Sequence, residues 1–291
     1  MAVRQARVDG FLENGRFYGE FKRGNYLFPY DEDEKDTMDI MHKFHLVARR
    51  DVLHSAPLHN QQTPRILDLG CGTGIWTIDM ADKYPNGHLI GLDLALIQPE
   101  YIPANLRFEQ MDIEDPWHDM GLGTWDLIHM RSLNGSIANW PRLYGEIYRH
   151  LRPHYGFVEQ VEIDWAPRSV DQSLSPNSYV MQWADELLSA MDRFGRSMRV
   201  DSGLTKQRMR HAGLTDIKEE VIRVPFNGWP TDEHGRDTGR WFNLGLTHGM
   251  HALTIAPLFR GHGKMPEEVT ALVKNVVEEI RSRKIHAYCT L

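Results

Sequence analysis

Arg65-Ile66-Leu67-Asp68-Leu69-Gly70-Cys71-Gly72-Thr73-Gly74-Ile75-Trp76 is the stretch that decides the fold. An apolar run breaks into three alternate glycines and then into a helical pattern, which predicts a strand, a tight loop and a helix. Glycine permits positive φ and lets a ligand approach the backbone, and the start of the helix offers unpaired N–H groups. The stretch therefore predicts a nucleotide-like ligand at the loop, and glycines that serve only a turn are the alternative.

A second apolar run, Ile90-Gly91-Leu92-Asp93, ends in a carboxylate. It follows the glycines by about 20 residues, as expected for an acid that accepts hydrogen bonds from a ribose. NAD and FAD are disfavoured, because Ile75 or Thr77 stands where G-x-G-x-x-G requires its third glycine. Asp68, just before the loop, would repel a pyrophosphate and attract an ammonium group. These features favour S-adenosylmethionine (SAM), whose amino-acid end Asp68 is placed to meet.

Two further strand patterns complete the predicted cofactor site. Asp112, at the end of the third pattern, can accept from an adenine amino group, although a cap of the turn before Pro116 is the alternative. The fourth strand runs from Trp125 to Met130, and ligands bind at the carboxyl ends of such strands. Two tyrosines of an N-terminal arm are also predicted to contact the cofactor. The full set of predicted contacts is Asp68, Gly70, Cys71, Gly72, Gly74, Asp93, Leu94, Asp112, Ile113, His129, Met130, Arg131, Tyr18 and Tyr26.

Strands alternate with helices from Ile66 to about Asp164, which predicts an α/β fold with a parallel sheet and helices on both faces. Residues 1–60 are expected to form an arm and a helix that pack over the cofactor site. The arm is rich in aromatic residues but has no regular strand or helix pattern, and the acidic run from Asp31 is expected to start the helix. Residues 61–291 are the predicted SAM-binding domain, with helical cap insertions at about 166–200 and 227–266.

Composition limits the class of protein. The chain has 291 residues, of which 41% are hydrophobic and 25% charged, and its formal net charge is −7. No basic field exists to collect phosphate backbones, so we expect no direct nucleic-acid binding. Two cysteines are too few for a disulfide framework, and no stretch has the length of a membrane span or the core of a signal peptide. We therefore expect an intracellular protein of the cytoplasm, the nucleus or both.

The sequence marks no catalytic residue clearly. Candidate bases near the predicted cleft are Glu159, Glu162, His154, His248 and His251, but a single histidine is more often structural than catalytic. His248 and His251 share a helix face, yet no acidic or cysteine partner lies at ligand spacing, so no metal is expected. Motifs of methyltransferases that act on base amines, on pyrimidine C5 or on protein arginines are absent. The methyl acceptor stays open.

The glycine loop, Leu92-Asp93 and Met111-Asp112-Ile113 resemble a class I SAM-dependent methyltransferase over about residues 64–165. Over nearly its whole length the chain resembles the LaeA-like fungal methyltransferases. The segments that carry this second resemblance are Gly24–Pro29, Leu67–Trp76, Leu94–Pro99, Trp125–His129, Glu159–Asp164, Asp232–His234 and Ile285–Tyr288. Family members usually continue beyond Tyr288, so the last strand is expected to stop early.

The resemblance implies a Rossmann-like sheet, SAM as cofactor and a role in fungal secondary metabolism or development. It also implies a velvet-type regulatory protein as a possible partner. Three functions remain open. The chain acts as a methyltransferase on a protein, as a dedicated small-molecule biosynthetic methyltransferase, or as a regulatory partner that binds SAM with little or no methyl transfer.

Overall fold

The computed structural model describes residues 9–58 and 62–291. In chain order its elements are β1 (Gly10–Glu13), β2 (Arg16–Gly19), α1 (Glu32–Ala48), β3 (Arg65–Leu69), α2 (Ile75–Lys83), β4 (His88–Asp93), β5 (Leu106–Gln110), β6 (Leu127–Arg131), α3 (Trp140–His150), β7 (Phe157–Val161), β8 (Asp164–Ser169), α4 (Tyr179–Arg193), α5 (Ser202–His211), β9 (Arg223–Pro225), α6 (Glu233–Ala256), a π-helical segment (Pro257–Gly261), α7 (Pro266–Arg281) and β10 (Ala287–Thr290).

Five parallel strands form the central sheet in the order β5-β4-β3-β6-β7. Leu67 and Ile128 pack into the cluster that includes α3, whereas Ile66 and Leu89 pack with Trp76 of α2. Helices therefore cover both faces, which explains why β3, β4 and β6 are almost continuously apolar. The predicted α/β class with a Rossmann-like sheet is confirmed.

A second sheet continues from the first. β8 follows β7 after only two residues, and it pairs antiparallel with β10, which pairs on its other side with β9. The first cap insertion is expected at about 166–200, and its first residues, up to Ser169, belong to β8. β9 pairs with β10, and Val221, two residues before β9, is 63% exposed. Although β10 is short, it is the central strand of this sheet.

The N-terminal arm contains a regular element that the sequence analysis missed. β1 and β2 form an antiparallel hairpin closed by Asn14 and Gly15, both at positive φ (49° and 77°). Asn-Gly is the pair that a two-residue hairpin turn of this hand prefers. The turn signal was present in the sequence, but the aromatic residues around it obscured the period-two pattern.

Helix α1 lies against α6 at close range. An added Cβ at Gly245 would lie 2.6 Å from the sulfur of Met41, and one at Gly249 would lie 2.4 Å from Cγ2 of Thr37. Glycine at these two positions, one helical turn apart, lets the helices approach. At the start of α1, Asp31 accepts from the Glu34 N–H at 3.1 Å, so the acidic run begins this helix as predicted. Within the described residues no helix is long and apolar enough to cross a membrane.

Candidate functional site

A cavity of about 260 Å³ opens at the carboxyl ends of β3, β4 and β6. Its other walls come from the arm, α1 and α6. The lining residues from the sheet side include Asp68, Gly70, Cys71, Gly72, Asp93, Leu94, Asp112, Ile113, His129 and Arg131, and those from the arm and helices include Tyr26, Tyr30, Glu34, Met38, Met41, His45, Leu246, Gly249 and Leu253. The structure thus brings eleven of the fourteen predicted cofactor residues to one cavity: the ten on the sheet side named here, and Tyr26.

The glycine loop requires its glycines for two different reasons. Gly70, Gly72 and Gly74 all have positive φ, at 68°, 56° and 79°. Gly70 and Gly72 line the cavity, and a Cβ at Gly72 would meet the sulfur of Met38 at 3.1 Å. Gly74 caps α2 and packs against Phe108, where a Cβ would lie 2.3 Å from the ring. It shapes the loop without lining the cavity.

Asp93 holds the loop in place. One carboxylate oxygen accepts from the Gly72 N–H at 2.8 Å, and the other accepts from the Ala95 N–H at 3.0 Å. Burial raises the pKa of Asp93 to about 6, although these backbone N–H groups act in the opposite direction. The carboxylate still faces the cavity, so its contact with a ribose stays a prediction.

The arm reaches the acid that was predicted to bind adenine. Asp112 accepts from the Glu114 N–H at 2.9 Å, so it does cap its turn, and its second oxygen lies 3.4 Å from the side-chain nitrogen of Asn25. Tyr26, next in the chain, lines the cavity. Tyr18 does not: it is buried beside Phe11, in the hairpin, with the Arg260 guanidinium over its ring.

Asp68 lies at the centre of a buried chain of hydrogen bonds. β3 and β6 pair in a register that sets Asp68 beside His129, and the ring Nδ1–H of His129 donates to Asp68 at 2.9 Å. The Thr77 hydroxyl donates to the other oxygen of Asp68 at 2.6 Å. Trp76 stacks on the imidazole, with ring centroids 3.6 Å apart. Both Asp68 oxygens are therefore engaged before any ligand arrives.

Of the three residues at the end of β6 that were predicted to contact the cofactor, two face the cavity and one does not. His129 and Arg131 face the cavity, whereas Met130 points to the opposite face of the sheet and is fully buried there, because successive side chains of a strand alternate. Arg131 is the one lysine or arginine in the cavity wall within the described residues, and it donates to His42 at 3.2 Å. Burial lowers the pKa of Arg131 to about 10.

The structure places four of the candidate bases outside the cavity wall. Glu159 accepts from Arg49 at 2.5 Å and from the Ser55 N–H at 2.7 Å. The neighbouring His129 and then Arg49 lower its pKa against the effect of burial. His154 is exposed in the turn before β7, and neither His248, bonded to Thr37, nor His251 lines the cavity. Their catalytic roles have no support from this geometry.

Glu162 does line the cavity. Its two oxygens accept from the Leu133 and Asn134 N–H groups, each at 3.1 Å, so the carboxyl group fixes the loop after β6. Burial raises its pKa to about 7.

Helix α1 supplies wall residues that the sequence analysis did not identify. Glu34, Met38, Met41 and His45 follow one another at helical spacing along the cavity. The same spacing was visible in the sequence, but it indicates a buried face without showing that the face borders a cavity. Burial raises the pKa of Glu34 to about 8, although the Arg16 guanidinium, 3.9 Å away, acts in the opposite direction.

Comparison with known proteins gives a consistent result. A family model described as a methyltransferase domain matches residues 26–219. The secondary metabolism regulator LAE1 of Cochliobolus heterostrophus is 51% identical over 287 residues, which cover 97% of this chain and 93% of that protein. The secondary metabolism regulator laeA of Fusarium oxysporum f. sp. lycopersici is 42% identical over 286 residues, which cover 97% of this chain and 90% of that protein.

Proposed function

This chain belongs to the LaeA/LAE1 family of secondary metabolism regulators, which carry a methyltransferase domain, and we propose that it binds SAM in the cavity and transfers the methyl group. The observation that carries the proposal is the glycine loop. The Gly72 N–H of this loop donates to Asp93. Because its glycines have no Cβ, a ligand can approach the loop backbone from the cavity. A loop of this kind suits a nucleoside better than a pyrophosphate, because carboxylates rather than cations surround it.

The residues that fit SAM divide by the part of the ligand they would hold. Asp93 has the position and charge to accept from ribose hydroxyl groups, and Asp112 with Ile113 to recognise adenine. SAM supplies an electrophilic methyl group. The chain contributes alignment of the acceptor and exclusion of water, for which an enclosed wall of Met38, Met41 and Leu246 is suited.

Regulation of fungal secondary metabolism is the proposed biological role, since the relatives at 51% and 42% identity carry that name. A velvet-type regulatory protein is the partner we propose, in the cytoplasm or nucleus. The methyl acceptor is either a protein or a small molecule.

A second candidate function is a regulator that binds SAM without transferring the methyl group. The observation that favours this function is that the carboxyl groups near the cavity are already hydrogen-bonded within the protein. Glu162 has both oxygens occupied by backbone N–H groups, and Glu159 is paired away from the wall. No base is needed if the site serves binding alone.

Two measurements separate these functions. Calorimetry with SAM and with NAD tests the cofactor, and we expect SAM alone to bind; NAD binding of equal strength would contradict the proposal. Incubation with methyl-labelled SAM and a fungal cell extract, followed by separation of protein from small molecules, tests transfer. Label in either fraction identifies the acceptor class, and binding without label in both supports the regulator.

A further inference from the structure

Strand β5 forms one edge of the central sheet. It is hydrogen-bonded to β4 on one side, and among residues 9–58 and 62–291 no strand pairs with its other side. The connection from β4 to β5, residues 94–105, contains no helix, and the side chains of Arg107 and Glu109 are 52% and 39% exposed. An unpaired edge of this kind offers a row of backbone N–H and C=O groups to another strand.

The hydrogen bonds to β4 decide which backbone groups lie at this outer edge. Just before β5, the Asn105 carbonyl oxygen accepts from the Leu89 N–H at 3.0 Å, and just after β5 the Met111 N–H donates to the Asp93 carbonyl oxygen at 2.9 Å. The backbone groups of successive residues turn to opposite sides of a strand, so the odd-numbered residues of β5 bond to β4. The residues whose backbone groups lie at the outer edge are Leu106, Phe108 and Gln110.

The two charged side chains of β5 form a pattern that is complementary to itself. Arg107 and Glu109 lie on the same face of the strand, where the Arg107 Nε–H donates to Glu109 at 2.5 Å. If two copies of β5 pair antiparallel around a twofold axis at Phe108, Arg107 of each copy lies opposite Glu109 of the other. An axis at Arg107 or at Glu109 would set like charges opposite each other, which destabilises a strand pair. The charges therefore select one register.

We propose that β5 pairs antiparallel with β5 of a second copy of this chain, with the twofold axis at Phe108, so that the two central sheets join into one. The donors of the edge fit this register. The Leu106 N–H already donates to the Pro103 carbonyl oxygen at 3.1 Å, so each strand brings the N–H groups of Phe108 and Gln110. These meet the carbonyl oxygens of Phe108 and Leu106 in the second copy, which gives two hydrogen bonds from each strand.

The same charges disfavour an unrelated strand, because a partner must present an acid opposite Arg107 and a base opposite Glu109. A second copy meets both requirements by symmetry. The paired strands are short and the contact area is small, so we expect a weak dimer that forms in the micromolar range.

The test measures the dimer by sedimentation velocity at low salt, over a series of protein concentrations from the micromolar range upward. Arg107→Glu leaves two acids on each strand, and Glu109→Arg leaves two bases. Each variant alone should dimerise at least about tenfold more weakly than the unaltered protein, because symmetry turns two attractive pairs into two repulsive ones. An equimolar mixture of the two variants should dimerise again, since every acid then lies opposite a base.

Two further variants complete the experiment. The double variant Arg107→Glu/Glu109→Arg reverses the pattern and should dimerise as the unaltered protein does. Arg240→Glu is the matched control: it makes the same change of charge at an exposed ion pair, with Asp237 at 3.0 Å, but lies in α6, and it should leave the dimer intact. Thermal melts show whether each variant is folded. For one that is not, Arg107→Gln or Glu109→Gln takes its place and should weaken the dimer without repulsion.

Three outcomes would overturn the inference. They are an unaltered protein that stays monomeric at every concentration, single variants that dimerise as well as the unaltered protein, and a mixture of the two variants that does not recover. None of these outcomes bears on SAM binding, because neither Arg107 nor Glu109 lines the cavity.

Discussion

The Gly72 N–H donates to the Asp93 carboxylate at 2.8 Å, so the acid at the end of β4 fixes the glycine loop and faces the cavity at the same time. A single side chain thus couples the shape of the loop to the binding of a ligand. Substitutions at this position separate the two roles.

Asp93→Ala should weaken S-adenosylhomocysteine by about 1.5–3 kcal/mol for each ribose hydrogen bond lost. Asp93→Asn keeps an acceptor but removes the charge, so its loss should be smaller. Calorimetry measures both. If Asp93→Ala binds with unaltered affinity, the residue holds only the loop.

Glu34 should make stability depend on pH. Its folded-state pKa of about 8 lies above its ordinary value of 4.5, so the folded protein holds the proton more tightly than the unfolded chain. The free energy of unfolding should therefore fall as pH rises from about 4.5 to 8, by at most about 1.4 kcal/mol per pH unit for this group.

Urea unfolding at pH 6 and at pH 8.5 checks this, and Glu34→Gln should reduce the difference. Glu32→Gln is the control in the same helical turn, since that side chain is 86% exposed. An identical pH response in both variants would exclude Glu34 as the source. Asp93 and Glu162, whose pKa values are also raised, contribute in the same direction at lower pH.

Gly249→Ala should destabilise the fold, because its Cβ would lie 2.4 Å from Thr37 and force α6 away from α1. We expect a loss of about 1–3 kcal/mol. Gly145→Ala is a control within α3, where an added Cβ meets nothing within 4 Å; it should stabilise by about 0.5–1 kcal/mol. Thermal melts of both variants measure the change in stability. Equal changes in Gly249→Ala and Gly145→Ala would refute the close approach of α1 and α6.

The arm should become protected when the cavity is filled. Its contacts with the adenine end of the site are exposed or long: Lys22 pairs with Asp115 at 2.9 Å, and Asn25 lies 3.4 Å from Asp112. Limited proteolysis should cut between Phe11 and Tyr30 more slowly with S-adenosylhomocysteine than without it. Equal rates would show that the arm is no lid and would favour a protein as acceptor or docked partner.

Sequence reasoning found the parts of the site that are local in the chain. The loop from Gly70 to Gly74 and the acids Asp93 and Asp112 each follow a strand, and the parallel topology then brings strand ends together. The same rule placed Met130 near the cavity, because it fixes the strand end but not which face each residue occupies.

The helical wall and the second sheet depend on contacts that no local pattern contains. Glu34 and His45 became wall residues only because α6 covers one side of α1, and β10 became a central strand only because β8 and β9 flank it. The Asn14-Gly15 turn was different. Its signal was local, and the hairpin was predictable.

Glu13 and Arg260, 247 residues apart, form an ion pair at 2.7 Å that fastens the hairpin to the π-helical segment. Thr37 similarly bonds with His248 across 211 residues. On the ribosome, the strands of the central sheet leave the exit tunnel before His248 and Arg260 are made. The newly made chain therefore carries its arm, α1, glycine loop and acids before α6, which supplies the rest of the wall, has been made.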